Sequence, residues 1–227
     1  MANASKALLM AGGILISIII IGVAVYMYNG ILKAKAQEDE NQYAKTILKM
    51  NSQIEVFTGA SKIYGSDVLS LCNLLEDYKV KYPTDEGYPN IEMQVKFGNK
   101  IGWDEVKNKT LSKDELKEKF DNLNQTLENL GEGNFTTQSG YIVGKIKKFA
   151  GMNDDEILQY LAQLWREGKI SQEDASSVNL YATLGGIYHY RQVKSQIVEF
   201  KNTKFKCNMV VYNPNNKVIS YIEYETI

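Results

Sequence analysis

The run from Ala7 to Tyr28, ALLMAGGILISIIIIGVAVYMY, has no charged residue and constrains the fold more than any other part of the chain. As an α-helix it would be about 33 Å long, enough to cross the ~30 Å hydrocarbon core of a bilayer. Its isoleucines, leucines and valines would favour insertion by roughly 3–7 kcal/mol. Tyr26 and Tyr28 stand where aromatic side chains meet lipid headgroups. The run predicts a transmembrane anchor over residues 7–28, after a short tail of residues 1–6.

Two alternatives to a permanent anchor are a buried core helix and a cleaved signal peptide. Helices of globular proteins are seldom apolar on every face over such a length, which argues against the core helix. A signal peptide has an apolar region of about 7–15 residues and a cleavage site made of small residues. Here the apolar run is longer and ends in the bulky residues Val25, Tyr26, Met27 and Tyr28. We therefore expect an uncleaved signal anchor.

The charges that flank the anchor leave its orientation open. The α-amino group and Lys6 lie on one side, and Lys33 and Lys35 lie on the other. The positive-inside rule compares the positive charges on the two sides, and their numbers are nearly equal here. A short tail before the anchor and a large domain after it favour a cytoplasmic N-terminus and a main domain outside the cell membrane. A main domain in the cytoplasm is the open alternative.

Two pairs of small residues in the anchor, Ala7 with Ala11 and Gly13 with Ser17, are spaced four residues apart. This spacing places small side chains on one side of a helix and lets a second helix approach closely. The four residues are therefore a candidate helix-association face. The expected partners are the lipid bilayer and, through this face, a second copy of the chain or another membrane protein.

Charge and motif content narrow the function classes. The net charge of −1 provides no field that would attract nucleic acid, so no nucleic-acid partner is expected. One histidine, His189, and two distant cysteines make a poor zinc set. Nucleotide-loop, esterase and zinc-protease motifs are missing from the sequence. We therefore expect no catalytic residue, no metal, no cofactor and no enzymatic activity.

The two cysteines, Cys72 and Cys207, are far apart in the sequence. They are candidates for a disulfide if the main domain faces an oxidising space. Two small buried thiols fit the sequence equally well. Both alternatives stay open at this point.

Beyond the anchor, hydrophobic periodicity predicts an α+β protein. We expect a bend at Asn29-Gly30, an amphipathic helical stalk over residues 29–57 and a globular α+β domain over residues 58–227. A helical subregion covers about residues 110–200. Alternation in residues 91–97 and again near the C-terminus predicts a small antiparallel sheet that ends in a C-terminal hairpin.

Several boundaries within the domain follow from local patterns. Ser112 with Glu115, and Asn153 with Glu156, have the spacing of capping boxes and predict two helix starts. Ser171 with Asp174 predicts a third start, and the helix that follows is expected to weaken at Gly185-Gly186. Residues 132–152 fit a short helix slightly better than a strand.

Tyrosine is abundant, with 15 copies, several of them late in the chain. Because tyrosine is enriched at protein interfaces, Tyr181, Tyr188 and Tyr190 are candidate interface residues. Ordinary packing of tyrosines within the domain is the alternative.

The order of an apolar N-terminal helix, an amphipathic continuation and a head that ends in antiparallel strands resembles type IV pilins and pseudopilins. Pilins usually carry a charged leader that ends in Gly, and often a Glu near the start of the apolar helix. The residues before Ala7, Met-Ala-Asn-Ala-Ser-Lys, contain neither feature. The resemblance implies a subunit of a surface or secretion apparatus, and it is one of architecture.

Three segments resemble uncharacterised single-pass, N-terminally anchored proteins of Clostridium-type bacteria. They are Ser5-Lys6-Ala7-Leu8 with Gly12-Gly13, the stretch YGSDVLSL that begins at Tyr64, and Phe205-Lys206-Cys207. Together they cover less than half of the chain, and the resemblance implies no catalytic residues. We expect a membrane-anchored structural or assembly protein of the bacterial envelope. The alternative is an anchored extracytoplasmic binding or sensing module.

Overall fold

The computed structural model describes residues 2–176, 180–215 and 217–227, with backbone alone for residues 2–16 and 180–183. Within these ranges the protein is α+β, with a long N-terminal apolar helix and a mixed β-sheet. The helices are α1 (Ala2–Thr58), α2 (Gly65–Lys81), α3 (Lys113–Glu132), α4 (Ile146–Phe149), α5 (Asp154–Arg166) and α6 (Leu180–Asn202). The strands are β1 (Ile63–Tyr64), β2 (Glu92–Lys96), β3 (Thr110–Ser112), β4 (Asn134–Thr136), β5 (Ile142–Lys145), β6 (Lys204–Tyr212) and β7 (Ile219–Thr226).

The chain divides into two compact units, Met1–Gln53 and Ile54–Ile227. Helix α1 runs without interruption from Ala2 to Thr58, and its residues up to Gln53 make up the described part of the first unit. The bend expected at Asn29-Gly30 is therefore not a break in the helix. A single glycine costs a helix only about 1 kcal/mol, and the good helix formers that follow it, from Leu32 to Ala34, offset that cost.

The second unit contains a sheet that, in the described part of the chain, has the strand order β1-β6-β7-β2-β3. Neighbouring strands are antiparallel except for β2 and β7, which run parallel. The sheet is therefore mixed, and the prediction of a purely antiparallel sheet is wrong in this respect. Alternation in a sequence indicates which face of a strand is buried, but it does not give the direction of the neighbouring strand.

One face of this sheet forms the main core. Met93 and Val95 of β2 lie in register with Ile222 and Tyr224 of β7, and all four side chains are buried. The ring of Phe200 on α6 contacts aromatic rings at centroid distances of 5.5–6.2 Å, and these rings belong to Phe97, Trp103, Phe120 and Phe205. Helices α2, α3 and α6 thus cover the apolar face.

The opposite face of the sheet is polar. Lys96 Nζ lies 2.9 Å from a carboxylate oxygen of Glu223, whose side chain is 12% exposed. The hydroxyl of Tyr221 donates to Gln94 Oε1 at 3.1 Å. Because side chains of a strand alternate between faces, this polar ladder and the apolar core are built by the same strands.

A second core lies between residues 133 and 190. It is built from Phe135, Ile146, Phe149, Ile157, Leu161, Leu164, Ile170, Leu184 and Ile187. Residues 132–152 were expected to form a short helix, but the antiparallel pair β4 and β5 precedes the one-turn helix α4. A pair of three- and four-residue strands is too short to produce a clear alternating pattern.

Two further expectations for this region are wrong. Residues 172–175 form a turn and do not continue the helix start expected at Ser171. The Asp174 amide does donate to Ser171 Oγ at 3.1 Å, but the Asp174 carboxylate bonds to Ser139, far along the chain. Helix α6 also continues through Gly185 and Gly186 without a break.

The last turn of α1 belongs to the second unit. Ile54 is completely buried. The hydroxyl of Tyr212 on β6 lies 3.2 Å from Glu55 Oε1, and the hydroxyl of Tyr224 on β7 donates to the carbonyl of Phe57 at 3.1 Å. The helix that carries the apolar N-terminal run therefore ends against the two C-terminal strands.

Candidate functional site

The apolar part of α1 is a candidate membrane segment. Its large apolar side chains from Ile18 to Leu32 are each 48–81% exposed. By length and composition, the helix from Ser17 to Thr58 contains a stretch that could cross a membrane, and none of that stretch is buried. A segment of this kind is found in membrane anchors and also in signal sequences near an N-terminus.

Of the four residues in the candidate helix-association face, the structure describes the side chain of Ser17 alone. Ala7, Ala11 and Gly13 lie on α1, but their side chains are outside the described part of the structure. Ser17 is exposed on the same helix. Association through this face stays a prediction.

Cys72 and Cys207 are both free thiols in the structure. Cys72 lies on α2 and is completely buried, whereas Cys207 on β6 is half-buried. Burial raises the pKa of Cys72 to about 12 and also raises the pKa of Cys207. Because the thiolate is the reactive form, both side chains are poor nucleophiles near neutral pH.

Of the three candidate interface tyrosines, the structure describes the side chains of Tyr188 and Tyr190. The side chain of Tyr181 lies outside the described part of the structure. The hydroxyl of Tyr188 donates to Asp154 Oδ2 at 2.5 Å. A Cβ atom at Gly131 would lie 3.0 Å from the ring of Tyr190, so the two residues are closely packed. Tyr188 and Tyr190 thus contribute to packing within the domain, and contact with a partner through them stays a prediction.

Arg191 on α6 holds three elements together. Its guanidinium donates to the carbonyl oxygens of Ala150 and Met152 and, at 2.8 Å, to Asp154 Oδ1. Hydrogen bonds from Arg191 and then from Tyr188 lower the pKa of Asp154. Residues Ala150 and Met152 follow α4, and Asp154 begins α5, so one side chain fixes the joint between these helices. Asp154 lies in the first turn of α5, where a carboxylate also complements the positive end of the helix dipole.

Asp174 anchors the loop before α6 to the turn between β4 and β5. Its side chain is buried and accepts hydrogen bonds from the Ser139 amide at 3.1 Å and from Ser139 Oγ at 2.5 Å. The hydrogen bond from the Ser139 hydroxyl is the main reason why the pKa of Asp174 is lowered. Its partners within the domain explain this buried carboxylate without a metal.

The slot between β4 and α6 is a candidate binding site that the sequence analysis missed. It has a volume of about 240 Å³ and is lined by Asn134, Phe135, Thr136, Thr137, Gln138, Ile146, Gly186 and Ile187. Residues of β4 and of α6 lie about 50 positions apart, and none belongs to a motif, so no sequence signal indicated the slot. Phe135 and Ile187 are buried beneath it, while Asn134, Thr136 and Gln138 are exposed.

His189 is exposed on α6. Among the residues that the structure describes, no group of three or more His, Cys, Asp or Glu side chains is placed to hold a metal ion. Comparison of the chain with protein families, with curated proteins and with solved structures gives no match. The site and the geometry of the fold are therefore the basis for a functional proposal.

Proposed function

We propose that the chain is a membrane-anchored structural or assembly protein of the bacterial envelope, a pilin-like or accessory subunit of a secretion or surface apparatus. The observation that carries this proposal is the exposed apolar surface of α1 from Ile18 to Leu32. Exposed apolar patches on soluble monomers rarely exceed about 300–600 Å², and a helix that is apolar on all sides over several turns is suited to lipid.

The N-terminus lies in the cytoplasm and the second unit lies outside the membrane in this proposal. The bilayer is then the first partner of α1. A further subunit, either a second copy or another membrane protein, packs on the face that contains Ala7, Ala11, Gly13 and Ser17.

The pilin-like assignment is supported by the way α1 ends. Its last turn is part of the head, through the contacts of Glu55 with Tyr212 and of Phe57 with Tyr224. In a pilin the same plan connects an apolar helix to a head with antiparallel strands.

A second candidate function is an anchored extracytoplasmic binding or sensing module. The observation that favours it is the slot between β4 and α6, which has polar walls above a buried apolar base. A binding module needs a surface site of this kind for its ligand or partner.

A charge placed in the apolar part of α1 tests the proposal. An arginine at the centre of a spanning helix costs roughly 2.5–3.5 kcal/mol of insertion free energy. We expect Ile20→Arg to move the protein out of the membrane fraction of bacterial cells. The matched control is Leu48→Arg, at a position that is 69% exposed on the polar part of the same helix, and it stays in the membrane.

The assembly role is measured on the same samples. In mild detergent, the full-length chain is expected to run as a particle that contains at least two protein subunits, by light scattering combined with mass spectrometry. Ile20→Arg is expected to run as a monomer. A monomeric full-length chain in mild detergent would contradict the assembly role while leaving the anchor intact.

A further inference from the structure

The slot between β4 and α6 follows the edge of a strand. Five of its lining residues, 134–138, are consecutive in the chain. Side chains on one face of a strand come from alternate residues, so a cavity over a face would be lined by every second residue. Of the five residues, Asn134–Thr136 form β4 and residues 137 and 138 continue into the turn, and the lining includes no residue of β5, so we place the slot along the free edge of β4.

Hydrogen bonds to the neighbouring strand show which backbone groups of β4 point into the slot. The Gly133 carbonyl accepts from the Ile146 amide at 3.0 Å, and the Thr137 amide donates to the Tyr141 carbonyl at 2.9 Å. Odd-numbered residues of this segment therefore face β5. Because backbone groups of an antiparallel strand alternate between its two edges, the N–H and C=O groups of Asn134 and Thr136 face the slot.

The pairing of β4 with β5 contains one irregularity, an extra residue on β5. Because this residue is not on β4, the backbone groups of β4 still alternate between its two edges. Phe135 is in register with Gly144, and Thr136 is in register with Ile142, so Val143 is the additional residue. The free edge of β4 is thus regular and extended. Among the described residues, the side chains of Asn134, Thr136 and Gln138 have no hydrogen-bond partner either.

The opposite wall of the slot is helix α6 at Gly186. A Cβ atom at this position would lie 2.8 Å from Cδ1 of Ile146, which also lines the slot. At this position the helix side of the slot is backbone, and the neighbouring Ile187 supplies a side chain. No lining residue carries a charge, so the slot offers no partner for a charged group, whose burial would be costly.

We propose that this slot binds an extended, uncharged segment of a partner polypeptide, which adds to the free edge of β4 as a third strand. The incoming backbone supplies the donors and acceptors that Asn134 and Thr136 lack, about four hydrogen bonds in all. Alternate side chains of the segment point down to Phe135 and Ile187 or out to solvent. Small or apolar uncharged residues fit these positions.

The experiment uses the full-length protein in detergent micelles and a capped peptide probe of alternating threonine and valine. Binding is followed by fluorescence anisotropy of the labelled peptide and by amide hydrogen exchange of the protein. We expect saturable binding, with slower exchange at residues 134–138. Two further peptides carry N-methyl groups on all valine nitrogens or on all threonine nitrogens, and each blocks one edge of the peptide.

One of the methylated peptides is expected to bind like the parent, and the other at least about tenfold more weakly, because only one edge of an added strand faces β4. Equal binding of the two methylated peptides would overturn the proposal. Failure of the parent peptide to bind at about 1 mM, or binding without slower exchange at residues 134–138, would overturn it as well.

Protein variants provide a second readout. Thr136→Pro removes the edge amide and is expected to abolish binding, whereas Thr136→Val retains that amide and keeps binding. If Thr136→Pro unfolds the domain, the pair of methylated peptides still decides the outcome on the unaltered protein. The binding experiment does not depend on how the protein is oriented in the membrane. If the peptide fails to bind, the proposed envelope role is therefore not contradicted.

Discussion

Arg191 Nη1 on α6 lies 2.8 Å from Asp154 Oδ1 at the start of α5, and the same guanidinium bonds to two backbone carbonyls. The side chain of Arg191 is 28% exposed and that of Asp154 is 41% exposed, so solvent screens the ion pair. The carbonyl contacts make the contribution larger than that of a surface pair. We expect Arg191→Ala to lower the free energy of unfolding by about 1–3 kcal/mol.

Denaturant titration of the full-length protein in detergent measures this loss. Arg166→Ala is the matched control, because Arg166 is exposed at the end of α5, and its effect is expected to stay within about 0.5 kcal/mol. Equal midpoints for the two variants would show that the joint between α4, α5 and α6 does not depend on Arg191.

The buried carboxylate of Asp174 makes the free energy of unfolding depend on pH. Asp174→Asn is expected to lower the free energy of unfolding at neutral pH by about 1–3 kcal/mol, because the hydrogen bonds from Ser139 lose a charged acceptor. The folded pKa of Asp174 is lowered, so the unfolded chain binds the proton more readily. This contribution is complete above the unfolded pKa of about 3.9 and disappears as the pH falls through the folded pKa.

Unfolding curves recorded between neutral pH and about pH 3 test this linkage. The difference between the unaltered protein and Asp174→Asn should shrink as the pH falls. Asp121→Asn, at an exposed position on α3, is expected to give no such convergence. A difference that stays constant with pH would mean that the Asp174 carboxylate does not contribute through its charge.

Two adjacent glycines of α6 are expected to respond differently to alanine. A Cβ atom at Gly185 meets no atom within 4 Å, whereas one at Gly186 would lie 2.8 Å from Ile146 Cδ1. Gly185→Ala should raise the free energy of unfolding by about 0.5–1 kcal/mol, because alanine is the better helix former. Gly186→Ala should be at least about 1 kcal/mol less stable than Gly185→Ala, because Ile146 must move. Thermal unfolding compares the two variants, and equal stability would contradict the close packing of α6 on α4.

The two thiols are expected to differ in reactivity. In the native protein in detergent, a maleimide should label Cys207 slowly and leave Cys72 unlabelled until the domain unfolds, because Cys72 is completely buried. The pKa of Cys207 is raised by burial, so its labelling rate should rise by about tenfold for each pH unit above neutrality. Mass spectrometry with Cys72→Ser and Cys207→Ser variants identifies the labelled residue. Rapid labelling of Cys72 in the native state would contradict its position in the core.

The same thiol reports orientation in intact cells. If the head lies outside the membrane, a membrane-impermeant maleimide should label Cys207 without opening the cells. Labelling only after the cells are opened would place the head in the cytoplasm. That result would contradict the comparison with pilins and favour an anchored cytoplasmic adaptor.

Much of the fold could be predicted because its signals are local. The capping boxes of Ser112 with Glu115 and of Asn153 with Glu156 are both present at helix starts. The alternating residues of β2 are buried on one face. In each case the residues that decide the structure lie within one or two turns or one strand of each other, so their spacing carries the information.

The features that could not be predicted depend on residues far apart in the chain. Asp174 has the spacing of a helix start with Ser171, but its carboxylate bonds to Ser139, 35 positions away. Pairing of β2 with β7 joins residues more than a hundred positions apart. The slot likewise needs β4 and α6 together, and the residues that line it are common ones whose role comes only from their position.

Helix α6 takes part in both cores of the second unit. Near its start, Leu184 and Ile187 belong to the core between residues 133 and 190, while near its end Phe200 belongs to the core under the sheet. A helix is a cooperative element, so loosening one half weakens the hydrogen bonds that support the other. The stabilities of the two cores are therefore coupled through helix α6. A disturbance at the edge of β4 that reached α6 would change the stability of the strands on which α1 ends.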